Sequence, residues 1–371
     1  MATPKSIDRI MLGIVLILVS VGFFIFSSAS LGLLARDGAS FSSVAFTQIV
    51  LGIGGGFMAM FIMSRVHYRI WRRFAFYIFL FAICLSLLVF IPGIGIEHAG
   101  ARRWISVAGL SFQPTEVLKI AFVIYMATWF SIKHHFKDDF WHSIMPFLVS
   151  VLAVGAVVLM QRDTDTFLIM VAAGATMFFV RTGRWKDLLA IAVAGLVLLV
   201  ILASVHDYVR LRLMSFADPG LDPQGVGYQI NQSLIAVGSG GLYGRGFGQS
   251  VQKFEYLPEP IGDSIFAVFA EEFGFVGTLI LLLLFSAFAF RGYRLASRAP
   301  DDFGMLLVIG LITLITLQAF LHIAAMIKLA PILGLPLPFI SHGGTAMLAT
   351  LASVGIILNV SKYQKKTSKI G

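Results

Sequence analysis

A chain of 371 residues with 58% hydrophobic and only 13% charged residues is too apolar for a water-soluble protein and reads as a polytopic membrane protein. Its 28 Lys and Arg against 19 Asp and Glu give a formal net charge of +9. A membrane protein gathers cations at its cytoplasmic face, so this surplus does not argue for nucleic acid. The single cysteine excludes a disulfide framework and a cysteine-built zinc site, and Cys84, inside an apolar run, is read as a packing residue.

Apolar runs between charged punctuation predict ten spans, at 10–34, 44–63, 74–92, 114–132, 143–160, 166–180, 188–205, 264–290, 303–327 and 343–361. The first contains the small residues Ser27, Ser28 and Ala29, but it is too long for a secretory signal core and is read as an uncleaved anchor. The sixth is short and is needed to close the count. Ten spans put both termini on one side, and twice as many Lys and Arg fall on that side as on the other, which orients the termini to the cytoplasm. The expectation is an all-α membrane protein of about ten transmembrane helices, one domain over 1–371, with a long extracytoplasmic loop at 206–263 between the seventh and eighth helices. That loop is rich in Gly and Asp-Pro steps, a composition and length more often functional than idle, and a short helix is expected near 227–237.

Ionisable groups inside spans cost at least ~2.5 kcal/mol at mid-membrane, so they mark functional candidates. Glu116 and Lys119 are three apart on the fourth span and share one helical face, with Pro114 in the first turn and Gln113 just before it. Arg102 and Arg103 precede that span, Asp163 and Asp165 open the sixth, Asp263 stands before the eighth, and Ser341 and His342 lead into the tenth. This topology gathers all of them at one membrane face.

Structural readings stay open beside the functional ones. Asp263 occupies a helix N-cap position, Glu116 and Lys119 form a neutralising pair, and the two arginines suit lipid phosphates. Glu271 and Glu272 lie deeper and are read as structural, either paired to other helices or protonated, and His322 as a packing or hydrogen-bonding histidine. The glycine-rich run 238–248 lacks the Lys-Ser/Thr ending of a nucleotide loop; its glycines suit turns and close backbone approach, with Arg245 as a phosphate contact. Residues 335–344 read as a broken, re-entrant stretch lining a polar cavity.

The segments GARRWISVAGLSFQPTEVLKIA (100–121), DPQGVGYQINQSLIAVGSGGLYGRGFGQSVQKFEYLPEP (222–260), DSIFAVFAEEFGFVG (263–277) and GLPLPFISHGG (334–344) resemble the SEDS family, the shape, elongation, division and sporulation proteins. The wording of 248–260 is nearer the division branch than the elongation branch. The resemblance implies a ten-helix peptidoglycan glycosyltransferase in the bacterial cytoplasmic membrane. Such an enzyme polymerises lipid II into a growing glycan strand at the outer face, together with a class B penicillin-binding protein and other divisome or elongasome membrane proteins.

By motif, the family's essential aspartate falls on Asp263 and its cavity Glu and Lys on Glu116 and Lys119. Arg102, Arg103, Gln113, Arg245, Ser341 and His342 are the substrate-binding candidates. The chain departs from the family at Ile261-Gly262 before the aspartate, at 162–165, at His342 and at His322. Expected chemistry is an inverting displacement: Asp263 takes the proton of the acceptor's sugar hydroxyl, and Arg102, Arg103 and Lys119 stabilise the departing pyrophosphate, with Glu116 orienting Lys119. No nucleotide or organic cofactor is expected, and a divalent cation, Mg2+ or Mn2+, is a candidate to share the phosphate charge. The competing readings are a lipid II flippase and a catalytically silent scaffold for the transpeptidase.

Overall fold

The computed structural model describes residues 6–36, 38–98, 100–107, 110–132 and 140–364. The tails that enter the assignment of the termini, 1–5 and 365–371, lie outside the described residues, as do 108–109 of the 100–121 motif and the connection 133–139. In chain order the helices are α1 (Arg9–Arg36), α2 (Gly38–Phe46), α3 (Gly56–Arg65), α4 (Arg69–Leu87), α5 (Pro114–Phe130), α6 (Phe140–Met160), α7 (Thr164–Thr182), α8 (Trp185–Val205), α9 (Asp207–Ala217), α10 (Val226–Ser239), α11 (Gln252–Glu255), α12 (Ile265–Ser297), α13 (Asp302–Met326) and α14 (Gly344–Ser361). A π-helical stretch, Thr47–Gly55, joins α2 to α3.

Each predicted apolar run falls on one of these helices, the second on the series from α2 through the π-helical stretch to α3. Eight helices among the described residues are long and apolar enough to cross a membrane. Of the other two, α5 spends Glu116 and Lys119 within 17 residues, and the apolar part of α6, Ile144–Met160, is also shorter. The chain is thus a multi-pass, predominantly helical membrane protein. The helix expected near 227–237 is α10.

The centre of the bundle is α13 and α14, whose most apolar windows are 78% and 83% buried, against 11% for α8. Sequence explains the contrast. In α14, Gly, Ala, Ser and Thr recur among the larger residues and let neighbours approach to backbone distance; a Cβ on Gly355 would stand 2.5 Å from the Met60 carbonyl of α3. In α8, large aliphatic residues cover every face, which suits lipid contact on nearly all sides. Cys84 differs from its expected packing role, because it is exposed on α4 rather than turned into the bundle.

A three-stranded antiparallel sheet departs from the all-α expectation: β1 (Gly95–His98), β2 (Ala101–Val107) and β3 (Leu110–Phe112) fill the connection before α5. The β-favouring run Trp104-Ile105-Ser106-Val107, followed by a return at Leu110–Phe112, makes this segment a meander rather than a coil. The β1–β2 register shifts at Arg103, which has no partner between the pairs Ile96–Trp104 and Glu97–Arg102, and this irregularity re-aims one of the two adjacent arginines.

The glycine-rich run finds its reason in α12, which breaks at Gly274 (φ 64°, ψ −163°). There the loop after α10 supplies the missing backbone partners. The N–H groups of Arg245 and Gly246 donate to the carbonyls of Glu271 and Glu272 at 3.0 Å each, and those of Phe275 and Val276 donate to Gly241 and Leu242 at 2.9 and 3.0 Å. The approach leaves no room for side chains, since a Cβ on Gly244 (φ 82°) would meet the Glu272 carbonyl at 2.0 Å and one on Gly274 the Gly244 nitrogen at 2.3 Å.

Beside this break Glu272 accepts from Lys253 Nζ (2.7 Å) and from Ser28 Oγ of α1 (2.6 Å), while Glu271 accepts from Ser250 Oγ (2.5 Å) and the N–H of Val251 (3.1 Å). Both carboxylates therefore have the structural partners the sequence suggested. Lys253 and Glu272 are fully buried, so removing one partner strands a charge. Glu272→Ala should cost about 3–5 kcal/mol, seen as a large drop in the detergent-solubilised unfolding temperature, and Lys253→Met in the same chain should recover much of it.

Candidate active site

The site is built around the irregular segment between α13 and α14, and three sets of side chains hold that segment. Asp165, at the start of α7, accepts from the Gly334 N–H (2.9 Å) and from Arg212 Nη1 of α9 (2.6 Å) through the same Oδ2. From α13, Gln318 Nε2 donates to the Pro336 carbonyl (2.7 Å) and His322 Nδ1 lies 2.8 Å from the Leu335 carbonyl. Gln48, in the π-helical stretch, donates to the Ser341 carbonyl (3.4 Å) and accepts from the Gly343 N–H (3.1 Å). A π-helical turn displaces side chains from the regular α spacing, and here it places a glutamine against the segment.

The segment in turn holds Asp263. Ser341 Oγ donates to the Gly262 carbonyl (2.8 Å) and accepts from the Leu337 N–H (2.7 Å), and the His342 N–H donates to the Ile261 carbonyl (2.8 Å). On the other flank Gln229 of α10 donates to Ser264 Oγ (3.0 Å). The residue at the α12 N-cap is Ser264, with no side-chain cap bond, so Asp263 does not serve the capping role its position allowed. Its carboxylate keeps partial access to solvent.

Around Gly334 the charged groups meet. A Cβ built there would be 3.5 Å from Arg103 Nη1, 3.5 Å from Arg212 Nη2 and 3.6 Å from Asp263 Oδ2. Burial, reinforced by the charge of Glu259, pushes the Asp263 carboxyl up to about 7, with Arg212 pulling the other way. Burial works against the Arg212 charge, but the Asp165 carboxylate more than offsets it and holds the guanidinium protonated.

Of the residues expected at the site, Asp263 and Arg103 come together here. Arg103 also approaches Asp163 at 3.8 Å and donates from Nη2 to the Arg162 carbonyl, which the left-handed turn at Arg162 (φ 58°) presents after α6. Its Nε, though buried, has no partner. Arg102 pairs instead with its cross-strand neighbour Glu97 at 3.0 Å and is half exposed. Adjacent in sequence, the two arginines do not act as one unit.

Glu116 and Lys119 pair at 2.9 Å, and Lys119 also donates to Gln318 Oε1 at 3.0 Å. They reach the Asp263 cluster through Gln318 and Pro336. Gln113 is buried where α5 begins, and its carbonyl accepts from the Glu116 N–H at 3.2 Å. Ser341 and His342 act on the backbone before Asp263, and the His342 ring stacks on Phe26, where burial holds it below the usual imidazole range and so neutral. Arg245 lies elsewhere, 3.6 Å from Glu271 beside the α12 break.

Sequence reasoning missed Arg212, Gln318 and Gln48. The two glutamines carried a signal, each being a lone amide inside an apolar span. Arg212 carried none, since nothing distinguishes it from Arg210 two positions earlier. The prediction for this site is spectroscopic: a carboxyl band in infrared difference spectra should titrate with a midpoint near 7 and be absent in Asp263→Asn.

With this geometry in hand, comparison with known proteins is informative. Residues 8–366 match the FtsW/RodA/SpoVE family, described as cell cycle proteins. Stage V sporulation protein E of Bacillus subtilis is 38% identical over 98% of this chain and 100% of its own length. The probable peptidoglycan glycosyltransferase FtsW of Geobacter metallireducens is 37% identical, covering 98% and 97%, and the peptidoglycan glycosyltransferase MrdB of Escherichia coli is 31% identical, covering 98% and 96%. Among solved structures, one described as the structural coordination of polymerization and crosslinking by a peptidoglycan synthase complex aligns with TM-score 0.79 and 27% identity over 97% of this chain and 99% of that one. The rod shape determining protein RodA of Thermus thermophilus aligns with TM-score 0.71 and 25% identity over 97% and 98%. Matched nearly end to end by sequence and by fold, the chain belongs to the FtsW/RodA/SpoVE family.

Proposed function

We propose that this protein is a peptidoglycan glycosyltransferase that polymerises lipid II at the outer face of the cytoplasmic membrane. The observation that carries the reading is the meeting of Asp263, Arg103 and Arg212 around Gly334, held by elements from four parts of the chain. Relatives named as peptidoglycan glycosyltransferases support it, and an outer-face site agrees with the expected ten-crossing topology, in which the surplus of cations lies on the opposite side.

Joining two sugars by displacing a lipid pyrophosphate needs a base for the attacking hydroxyl and positive charge at the departing phosphates. Asp263 is the base: a carboxyl with a midpoint near 7 is partly ionised at neutral pH and basic enough to take a hydroxyl proton as the new bond forms. Arg103, whose carboxylate partner Asp163 stands only at 3.8 Å, supplies positive charge for the pyrophosphate, and half-exposed Arg102 adds charge at the rim. Lys119 is bound by Glu116 and Gln318 beneath the segment at Pro336 and contributes charge from a distance while anchoring that segment. The displacement is single and inverting, as in the inverting glycosidases.

No group of three or more His, Cys, Asp and Glu side chains suited to a metal is present among the described residues. The described residues offer no protein cage for the divalent cation that phosphate chemistry suggests, and no step above relies on one.

The partner is a class B penicillin-binding protein, consistent with the likeness to a chain from a peptidoglycan synthase complex. Purified with that partner and given labelled lipid II, the protein should produce glycan ladders. Asp263→Asn should lower the rate by about 10²–10⁴-fold without dissociating the partner. Because the base acts only when ionised, activity should be full above about 7 and fall as pH drops through that value. Transport of lipid II across vesicles without lengthening would instead establish a flippase, and full activity in Asp263→Asn would remove it as the base.

A further inference from the structure

Of the nine residues in the π-helical stretch Thr47–Gly55, only Gln48 and Gly52 are buried. The span around them, Phe41–Arg65, is otherwise turned mostly outward, with 22% of its most apolar window inside the bundle. Gln48 is nevertheless only 1% exposed. A methionine would fill that place without desolvating an amide, a cost that is offset only by hydrogen bonds at both ends of the side chain. The reason for a glutamine therefore lies in what its amide holds.

It holds the backbone groups on either side of His342. Oε1 accepts from the Gly343 N–H at 3.1 Å, and Nε2 donates to the Ser341 carbonyl at 3.4 Å. Gly343 is the N-cap of α14 and has no side chain with which to cap it. Between these two contacts lie the groups that grip the chain before Asp263, the Ser341 hydroxyl on the Gly262 carbonyl and the His342 N–H on the Ile261 carbonyl. Gln318 and His322 bond to the other end of the irregular segment, at Pro336 and Leu335.

We propose that Gln48 is a positioning residue for the transfer reaction: by clamping 341–343 it sets where the Asp263 carboxylate stands, so that the peripheral α2–α3 span controls the rate. The proposal rests on the glycosyltransferase reading and adds to it a part of the chain that no step of that mechanism uses.

Glycines bring the span close enough for the clamp. A Cβ on Gly344 would stand 2.9 Å from Thr47 Cγ2 and 3.1 Å from the Thr47 carbonyl, and one on Gly52 would stand 3.4 Å from both the Gly344 Cα and the Met347 Cβ. One turn on, a Cβ on Gly56 would meet Leu351 Cδ1 at 2.5 Å, where α3 begins to pack along α14. The π-helical turn shifts the register between these contacts, so Gln48 and Gly52 both meet the start of α14. A base must lie within hydrogen-bond reach of the hydroxyl it deprotonates, and a misplacement of about 1 Å costs on the order of a hundredfold in rate.

The test uses the complex with its penicillin-binding protein on labelled lipid II, comparing wild type, Gln48→Met, Gly344→Ala, Asp263→Asn and the double variant of Gln48→Met with Asp263→Asn. Gln48→Met keeps the length of the side chain and removes both bonds. It should lower kcat about a hundredfold, with the KM for lipid II changed by less than about threefold and the partner still bound. Gly344→Ala leaves the amide in place and favours the helix while pressing on Thr47, and should lower kcat about tenfold. In the Asp263→Asn background Gln48→Met should have no further effect, because a residue that acts by placing a base does nothing once the base is gone.

Wild-type kcat in a folded Gln48→Met would overturn the proposal. A rise in KM with kcat unchanged would overturn it too, by making Gln48 a support for substrate binding, as would a loss that multiplies with that of Asp263→Asn. Where Gln48→Met does not fold, Gly344→Ala decides, and wild-type kcat there overturns the proposal. Each of these outcomes leaves the glycosyltransferase reading standing. Absence of ladders from the wild type would overturn that reading, and full activity in Asp263→Asn would remove the base that Gln48 places.

Discussion

One oxygen atom, Oδ2 of Asp165, joins three separate parts of this protein around the candidate site. It accepts at once from Arg212 and from the Gly334 backbone, and so ties α7, the loop helix α9 and the irregular segment before α14 to a single point. In a poorly solvated interior a carboxylate must find such donors, and the donors must find it, because each left alone costs more than the pair. Placement of Arg212 and of Gly334 follows from that requirement.

The segment from Gly334 to Ser341 carries the constraint onward. It has almost no regular structure, so its backbone groups are met by side chains brought from outside: Gln318 and His322 from α13, Gln48 from the π-helical stretch, and its own Ser341 turning back on Leu337. Irregular backbone at membrane depth is tolerated only under such cover. Ser341 and His342 then grip the carbonyls of Gly262 and Ile261, so the position of Asp263 depends on α13 and the π-helical stretch as much as on its own helix. Lys119 acts through the same relay, by way of Gln318.

A second weld, at the break in α12, obeys the same rule with different parts. There the exposed carbonyls and N–H groups around Gly274 are met by the backbone of 241–246, and the buried carboxylates of Glu271 and Glu272 by Lys253, Ser28 and the turn at Ser250. This fastens the loop after α10 to α12 at its break and, through Ser28, to α1. Its chemistry is structural, which is why Arg245, expected at phosphate, is turned to Glu271 instead.

Much of this was legible in the residues. Apolar runs of helical length located the membrane helices, because burial in lipid demands such runs, and the scarcity of charge inside them singled out Glu116, Lys119 and the acidic and basic residues at one face. Motif resemblance named Asp263 and the family. What the sequence could not decide was direction and partnership. Arg102 and Arg103 look like one basic pair until the structure gives them different partners, Glu97 and Asp163, across a register shift at Arg103 in a segment short enough to pass for coil. Arg212 is one of two similar arginines in a loop helix until Asp165, far away in the chain, selects it. Sequence determines which groups are too costly to bury alone; only the tertiary structure decides which of them meet, because that choice is made by contacts between residues tens to hundreds of positions apart.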